Sequence, residues 1–117
     1  MMETTTAVDK LAALAQETRL RVFRLLVTAG PEGMNAGAIA ETLELAPATL
    51  SFHIAHLVRA NLVSARQESR FIYYAANFTA MDDLIAFLTD NCCQGGNACL
   101  PKTAAVATSA KRRAKPD

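Results

Sequence analysis

All three cysteines of this 117-residue chain, Cys92, Cys93 and Cys99, lie within eight residues, in the segment NCCQGGNACL. Thiolates bind soft ions, but a structural zinc ion usually takes four ligands, and no histidine lies nearby to supply the fourth. Three cysteines also cannot form a complete set of intramolecular disulfides. The cluster is therefore a candidate ligand set or redox group, and the alternative is three incidental residues.

Two other patterns that could do chemistry are incomplete. His53 and His56 are three positions apart on a predicted helix, but no carboxylate or thiol close in sequence completes a metal site. The oxyanion-binding pattern Cys-x5-Arg, counted from Cys93, would require arginine where the chain has Cys99. Ser51 shares one helix with both histidines and has no acid arranged beside it, so the sequence predicts a protein that is not an enzyme.

The composition is that of one globular domain of modest size. Hydrophobic residues make up 51% of the chain and charged residues 20%. No apolar run reaches the roughly 18 residues of a membrane span, and the N-terminus lacks a secretion-signal pattern. These features predict a cytoplasmic protein without a membrane partner, whose thiols stay reduced. The net charge of +1 does not by itself indicate nucleic-acid binding.

Apolar periodicity and turn residues predict five helices and one hairpin. The first predicted helix runs from a capping signature at Thr6–Asp9 to about Ala15. Three more helices are predicted over Glu17–Thr28, Ala36–Leu43 and Pro47–Ala60. A β-hairpin over Leu62–Ala76 and a last helix from Thr79 to about Asn91 follow. Asn35 is a candidate N-cap, and Pro47 suits a first helical turn. Two helices joined tightly and followed by a hairpin predict a mainly α winged helix-turn-helix.

The helix PATLSFHIAHLVRA is the candidate DNA-reading element. Leu50, Ile54, Leu57 and Val58 form its apolar stripe, whereas the residues on or beside the outer face are Thr49, Ser51, Phe52, His53, His56 and Arg59. Hydroxyls, imidazoles and an apolar ring can contact base edges and thymine methyl groups. The alternative is an ordinary amphipathic surface helix, although an exposed Phe52 ring usually has a partner.

The hairpin places Arg66, Gln67 and Arg70 beside its polar turn. A basic loop tip suits phosphates or a narrow minor groove. The alternative is a solvated hairpin without a partner. The sequence therefore leaves the wing as a second candidate DNA contact.

From about Val8 to Asn91 the chain resembles the ArsR/SmtB family of metal-responsive winged-helix repressors. The resemblance rests on ETRLRV, on S-x-H-x-x-x-L within LSFHIAHL and on R-x-x-x-R-F-x-Y-Y within RQESRFIYY. It implies a homodimer that pairs the first and last helices and binds double-stranded operator DNA. It also implies release from the operator when a toxic metal ion binds.

Two standard sensor sites of this family are missing. The segment GMNAGAIAETL lacks the Cys-x-Cys pair of common arsenic sensors, and no histidine follows Asp82 and Asp83 as in zinc sensors. The cysteine cluster resembles that of variant arsenic-responsive members with three cysteines after the last helix. Trivalent arsenic or antimony bonds three sulfurs in a pyramid, so three thiols complete its coordination. Gly95 and Gly96 permit the turn that returns Cys99 to the pair, and Gly95 is a candidate end of the last helix.

The sequence thus predicts three segments. Residues 1–91 form the DNA-binding and dimerisation domain, 92–100 the metalloid-binding segment and 101–117 a disordered basic tail. The predicted function is a transcriptional repressor with As(III) or Sb(III) as inducer and no organic cofactor. A thiol redox-responsive winged-helix regulator without a metal inducer is the alternative.

Overall fold

The computed structural model describes residues 2–95, which contain five α-helices and three strands. The elements are α1 (Thr4–Leu14), α2 (Glu17–Ala29), β1 (Met34–Asn35), α3 (Ala36–Leu43), α4 (Pro47–Arg59), β2 (Val63–Glu68), β3 (Phe71–Ala76) and α5 (Phe78–Leu88). The predicted winged helix-turn-helix is confirmed. The chain divides into two compact units, residues 1–84 and residues 85–117. None of the described helices is long and apolar enough to cross a membrane.

Local sequence signals set the turn between α3 and α4. The Asn35 side chain accepts a hydrogen bond from the Ala38 amide at 2.8 Å, which confirms it as the N-cap of α3. Glu44 ends α3 in the left-handed region, with φ 57°. Pro47 occupies the first turn of α4, where its missing N–H breaks no hydrogen bond. A connection of three residues therefore fixes α4 against α3.

The hydrophobic core lies where α2, α3, α4 and the start of the wing meet. Its largest fully buried side chains are Val22, Leu26, Ile39, Leu57, Leu62 and Val63. Leu50 and Ile54 are also buried, so three of the four predicted apolar positions of α4 are confirmed as core. Val58 is 37% exposed, and its assignment to the core face was wrong. An α-helix turns 100° per residue, so Leu57 and Val58 cannot both point into a narrow core.

The wing is an antiparallel hairpin with a third strand that the sequence analysis did not predict. Val63 pairs with Ala76 and Glu68 with Phe71, so the turn is at Ser69 and Arg70. The sequence predicted a polar turn at Gln67, Glu68 and Ser69, and the first two of these residues lie in β2. Strand β1 pairs with β3 and gives the order β1-β3-β2. It has two residues, too few for the alternation by which strands are recognised.

Both terminal helices differ from their predicted ends. Helix α1 begins at Thr4 after Glu3, so the predicted cap at Thr6 was wrong. Helix α5 ends at Leu88, before the predicted Asn91 and well before Gly95, which lies in a 3-10 turn, Cys92–Gly95. The Ile85 carbonyl accepts hydrogen bonds from both the amide and the hydroxyl of Thr89, at 3.1 and 2.9 Å, at the end of α5. The predicted tail, 101–117, lies outside the described residues.

Gly33 gives a test of how the wing is attached. Its φ is +75°, and a Cβ there would lie 2.1 Å from the backbone oxygen of Tyr74, which pairs with β1. Gly33→Ala should lower the free energy of unfolding by about 1–3 kcal/mol for backbone strain and by about 1–3 kcal/mol more for the collision. Chemical denaturation followed by circular dichroism measures the sum of these two losses.

The matched control is Gly30→Ala. Gly30 has φ +88°, but a Cβ there meets nothing within 4 Å. This variant should show the backbone strain alone, about 1–3 kcal/mol. Equal losses in the two variants would contradict the close approach of Gly33 to β3.

Candidate nucleic-acid interface

The start of α4 presents an exposed polar and aromatic surface. Thr49 and Ser51 are exposed, and Phe52 is 62% exposed. The Phe52 ring makes edge-to-face contacts with the rings of His53 and His56, both at a centroid distance of 5.1 Å. Its ring partners therefore lie in its own helix, and most of the residue stays exposed to solvent.

Arg19 of α2 fixes the orientation of His53. Its Nη1 lies 3.3 Å from Nδ1 of the half-buried His53, and its Nε donates to the Ala13 carbonyl at 2.7 Å. A guanidinium can only donate, so Nδ1 is the acceptor and Nε2 carries the imidazole proton. Arg19 was not among the functional residues predicted from the sequence. It stands in the motif ETRLRV, but its contact with His53 spans 34 positions and leaves no local signal.

His56 stands in a field of positive charge. Partial burial lowers its pKa below the usual 6.5, and the charges of Arg19 and Arg59 lower it further. His56 is therefore a neutral imidazole at pH 7. As a neutral group it can both donate and accept a hydrogen bond, which suits a polar base edge.

Lys10 attaches α1 to the end of α4. Its side chain is 6% exposed, and its Nζ donates to the carbonyl of Ala60 at 2.7 Å. Ala60 caps the C-terminus of α4, where a helix carries partial negative charge, so the ammonium is well placed. Sequence reasoning missed this contact too. The one signal was helical spacing, because Lys10 lies midway between the buried Ala7 and Ala13.

The two arginines of the wing have different surroundings. Arg66 donates from Nε to the Glu68 carboxylate at 2.7 Å and from Nη1 to the Glu32 carbonyl at 3.1 Å, and it lies 5.0 Å from the Tyr73 ring centroid. Arg70 is exposed and forms no hydrogen bond or ion pair with any described residue. Arg70 is thus the more available cation. The adjacent Gln67 is exposed, and its Nε2 donates to the Ser69 carbonyl at 3.4 Å.

Two of the three cysteines lie within the described residues, and Cys93 is disulfide-bonded. The Sγ atoms of Cys92 and Cys93 are 3.8 Å apart in the turn after α5, with Cys92 half-buried and Cys93 exposed. Cys99 lies outside the described residues. Within residues 2–95, no three His, Cys, Asp or Glu side chains form a group that could hold a metal ion.

The chain is similar in sequence to known transcriptional regulators. The profile of a helix-turn-helix domain matches residues 14–65. The transcriptional activator HlyU of Vibrio cholerae serotype O1 is 33% identical over 88 residues, covering 75% of this chain and 79% of HlyU. The transcriptional repressor SdpR of Bacillus subtilis is 31% identical over 85 residues, covering 73% of this chain and 91% of SdpR. Proteins of this type thus include both an activator and a repressor.

Solved structures show the same architecture. HlyU from Vibrio cholerae matches with a TM-score of 0.62 at 33% identity, over 80% of this chain and 100% of HlyU. The reduced form of HlyU matches with a TM-score of 0.59 at 31% identity, over 78% of this chain and 93% of the HlyU chain. The ArsR-like regulator from Rhodococcus sp. RHA1 has a TM-score of 0.68 over 92% of both chains, and at 20% identity it shows the fold alone.

The charge field around His56 can be tested by titration. Arg59→Gln removes one of the cations that act on His56 and should raise its pKa toward 6.5, measured by NMR of the imidazole protons. Arg24→Gln, an exposed arginine that is not among those cations, is the control. An unchanged His56 pKa in Arg59→Gln would contradict the conclusion that the Arg59 charge lowers this pKa.

The same pKa makes folding depend on pH. Because the fold lowers the His56 pKa below 6.5, the unfolded chain binds this proton more tightly than the folded chain. The free energy of unfolding should therefore fall as the pH drops from 6.5 through the folded pKa. His56→Gln should remove that part of the dependence in denaturation curves, and an unchanged pH dependence would contradict the lowered pKa.

Proposed function

The chain belongs to the ArsR-type family of helix-turn-helix transcriptional regulators, and we propose that it is a metalloid-responsive repressor. It binds double-stranded operator DNA as a homodimer. Trivalent arsenic or antimony binds Cys92, Cys93 and Cys99 and releases the protein from the operator. The observation that supports DNA reading most directly is the exposed face at the start of α4, directly after the tight turn from α3.

In this proposal α4 enters the major groove. Hydroxyls of Thr49 and Ser51 and the Nε2–H of His53 face base edges, and the exposed Phe52 ring meets thymine methyl groups. Arg19 holds His53 in one orientation before DNA arrives, so little side-chain freedom is lost on binding. The neutral His56 adds a contact one turn further along the helix.

The wing supplies the phosphate contacts. Arg70 at the turn has no partner among the described residues, so its charge is fully available to the DNA backbone. Arg66 is partly neutralised by Glu68, and Gln67 offers an exposed amide. Phosphate contacts set the position on the duplex, whereas α4 reads the sequence.

Exposed apolar side chains support the homodimer. Val8 and Leu11 of α1 are 55% and 41% exposed, and Ile85 and Leu88 of α5 are 46% and 58% exposed. Large apolar side chains in water indicate a surface that a partner covers. A two-fold dimer would place its two reading helices about one DNA turn, roughly 34 Å, apart.

The sulfur geometry supports binding of one ion by the adjacent cysteines. Two sulfurs bound to one centre at about 2.3 Å, the zinc–thiolate length, lie no more than about 4.6 Å apart. The 3.8 Å between the Sγ atoms of Cys92 and Cys93 meets this condition, although Cys93 is disulfide-bonded in the structure and must be reduced before it binds an ion. When Cys99 binds as the third ligand, the chain that follows α5 is held in place. Helix α5 is itself proposed to lie in the dimer interface. A coupling of about 1–3 kcal/mol, typical of allosteric sites, would weaken operator binding roughly 5- to 150-fold.

A redox-responsive regulator is the second candidate function. The same closeness of sulfurs favours it, and the relative HlyU has a structure specified as its reduced form. In this alternative an oxidant such as peroxide takes two electrons from two thiols, which lose their protons and form a disulfide. Release by peroxide and not by arsenite would support it.

The two wing arginines provide a matched test of DNA binding. Arg70→Ala should weaken binding to all duplexes alike and reduce the slope of log affinity against log salt by roughly one for each phosphate that is no longer neutralised, about two per dimer. Arg66→Ala should change the slope less, because Glu68 already pairs with its charge. Binding isotherms at several salt concentrations measure both. A salt slope in Arg70→Ala equal to that of the wild type would contradict the proposed wing contact.

The metalloid site is tested first by anaerobic titration of the reduced protein with arsenite. One equivalent per subunit should consume all three thiols and produce sulfur-to-metal ultraviolet absorption. Cys99→Ser should bind operator like the wild type but respond poorly to arsenite. If arsenite released this variant as readily as the wild type, the three-sulfur site would be excluded.

A further inference from the structure

An open cavity of about 470 Å³ lies between α1, α2 and the end of α4. Its apolar lining residues are Ala12, Ala13 and Ala60. Pockets for small organic molecules usually measure about 300–1,000 Å³ and are lined largely by apolar groups. The cavity has the size and part of the lining of such a pocket.

Cations from two helices line the same cavity. They are Arg19 of α2 and Arg59 of α4, and the neutral His56 and Asp9 of α1, the one carboxylate in the lining, lie beside them. Arg59 makes no hydrogen bond or ion pair with the described residues. Arg19 uses Nε and Nη1 in its two contacts, so the N–H groups of Nη2 remain available. Two guanidinium groups with spare donors thus line the cavity together with the three alanines.

We propose that this cavity binds a small organic carboxylate with an apolar body. The planar guanidinium of Arg59 matches a carboxylate with two parallel hydrogen bonds, and Nη2 of Arg19 can donate a third. The apolar body covers the alanine methyl groups, which an inorganic anion would leave exposed.

The cavity is connected to the reading face of α4. Arg19 lines the cavity and also holds Nδ1 of His53. A carboxylate that draws the Arg19 guanidinium toward itself would weaken this bond and free the His53 ring. This effect on DNA rests on the proposed function, whereas carboxylate binding does not.

NMR titration of the full-length protein without DNA tests the binding alone. Benzoate is the probe, and benzamide, of similar shape but uncharged, is the control, at equal ionic strength. The groups that face His56 are Arg19 from α2, Arg59 and His53 from α4, and Asp9 from α1. Millimolar benzoate should raise the His56 pKa by adding a negative charge, and benzamide should not. No shift with benzoate, or equal shifts with both compounds, would overturn the proposal.

Two substitutions with opposite expected effects separate binding from altered folding. Arg59→Gln should weaken benzoate binding about tenfold or more, the loss expected for a charged hydrogen bond. Asp9→Asn should strengthen binding, because it removes the opposing carboxylate. Unfolding midpoints and dimer mass confirm that each variant is folded. Unchanged affinity in both variants would overturn the proposal.

The remaining outcomes identify other occupants. Suppose that benzoate does not bind, while Arg59→Gln lowers operator affinity and the salt slope. The cavity would then hold a DNA phosphate, and the proposal would be wrong. If benzoate bound only to a dissociated monomer, a second copy of the chain would cover the cavity in the dimer. The proposal would then also be wrong. Either result would leave the proposed DNA-binding function intact.

Discussion

The orientation of the reading helix depends on the Arg19 guanidinium, which contacts two other helices. It donates to the Ala13 carbonyl near the end of α1 and to the His53 ring on α4. The start of its own helix is fixed as well, because the Gln16 side chain accepts the Arg19 amide at 2.9 Å. One side chain therefore satisfies an orphan carbonyl of α1 and sets the tautomer of a ring on α4.

Lys10 makes a second connection between α1 and α4. Burying an ammonium without hydrogen bonds is costly, so its bond to the Ala60 carbonyl is a condition for the packing of α1. The helix proposed to pair with a second subunit thus bonds directly to the end of the helix proposed to read DNA. A movement of α1 cannot leave α4 unaffected, which gives dimer geometry a physical route to operator affinity.

The positions of individual charged groups, and not the net charge, decide where this protein can attract DNA. A net charge of +1 gives no general attraction to DNA. Arg66 is largely occupied by Glu68 and the Glu32 carbonyl, whereas Arg70 at the turn has no partner among the described residues. Arg19 and Arg59 concentrate positive potential beside the second half of α4. Specific recognition on this surface therefore depends on a few oriented groups.

The sequence by itself determined the helices, the hairpin and the helix-turn-helix, because periodicity, the Asn35 cap and the Pro47 start act within a few residues. It also determined which side chains can do chemistry, including the cysteine pair. Only the tertiary structure decided which of those side chains meet. The contact of Arg19 with His53 spans 34 positions and that of Lys10 with Ala60 spans 50. Strand β1 forms only because β3 lies beside it. Such contacts follow from how helices pack, and no local pattern encodes them.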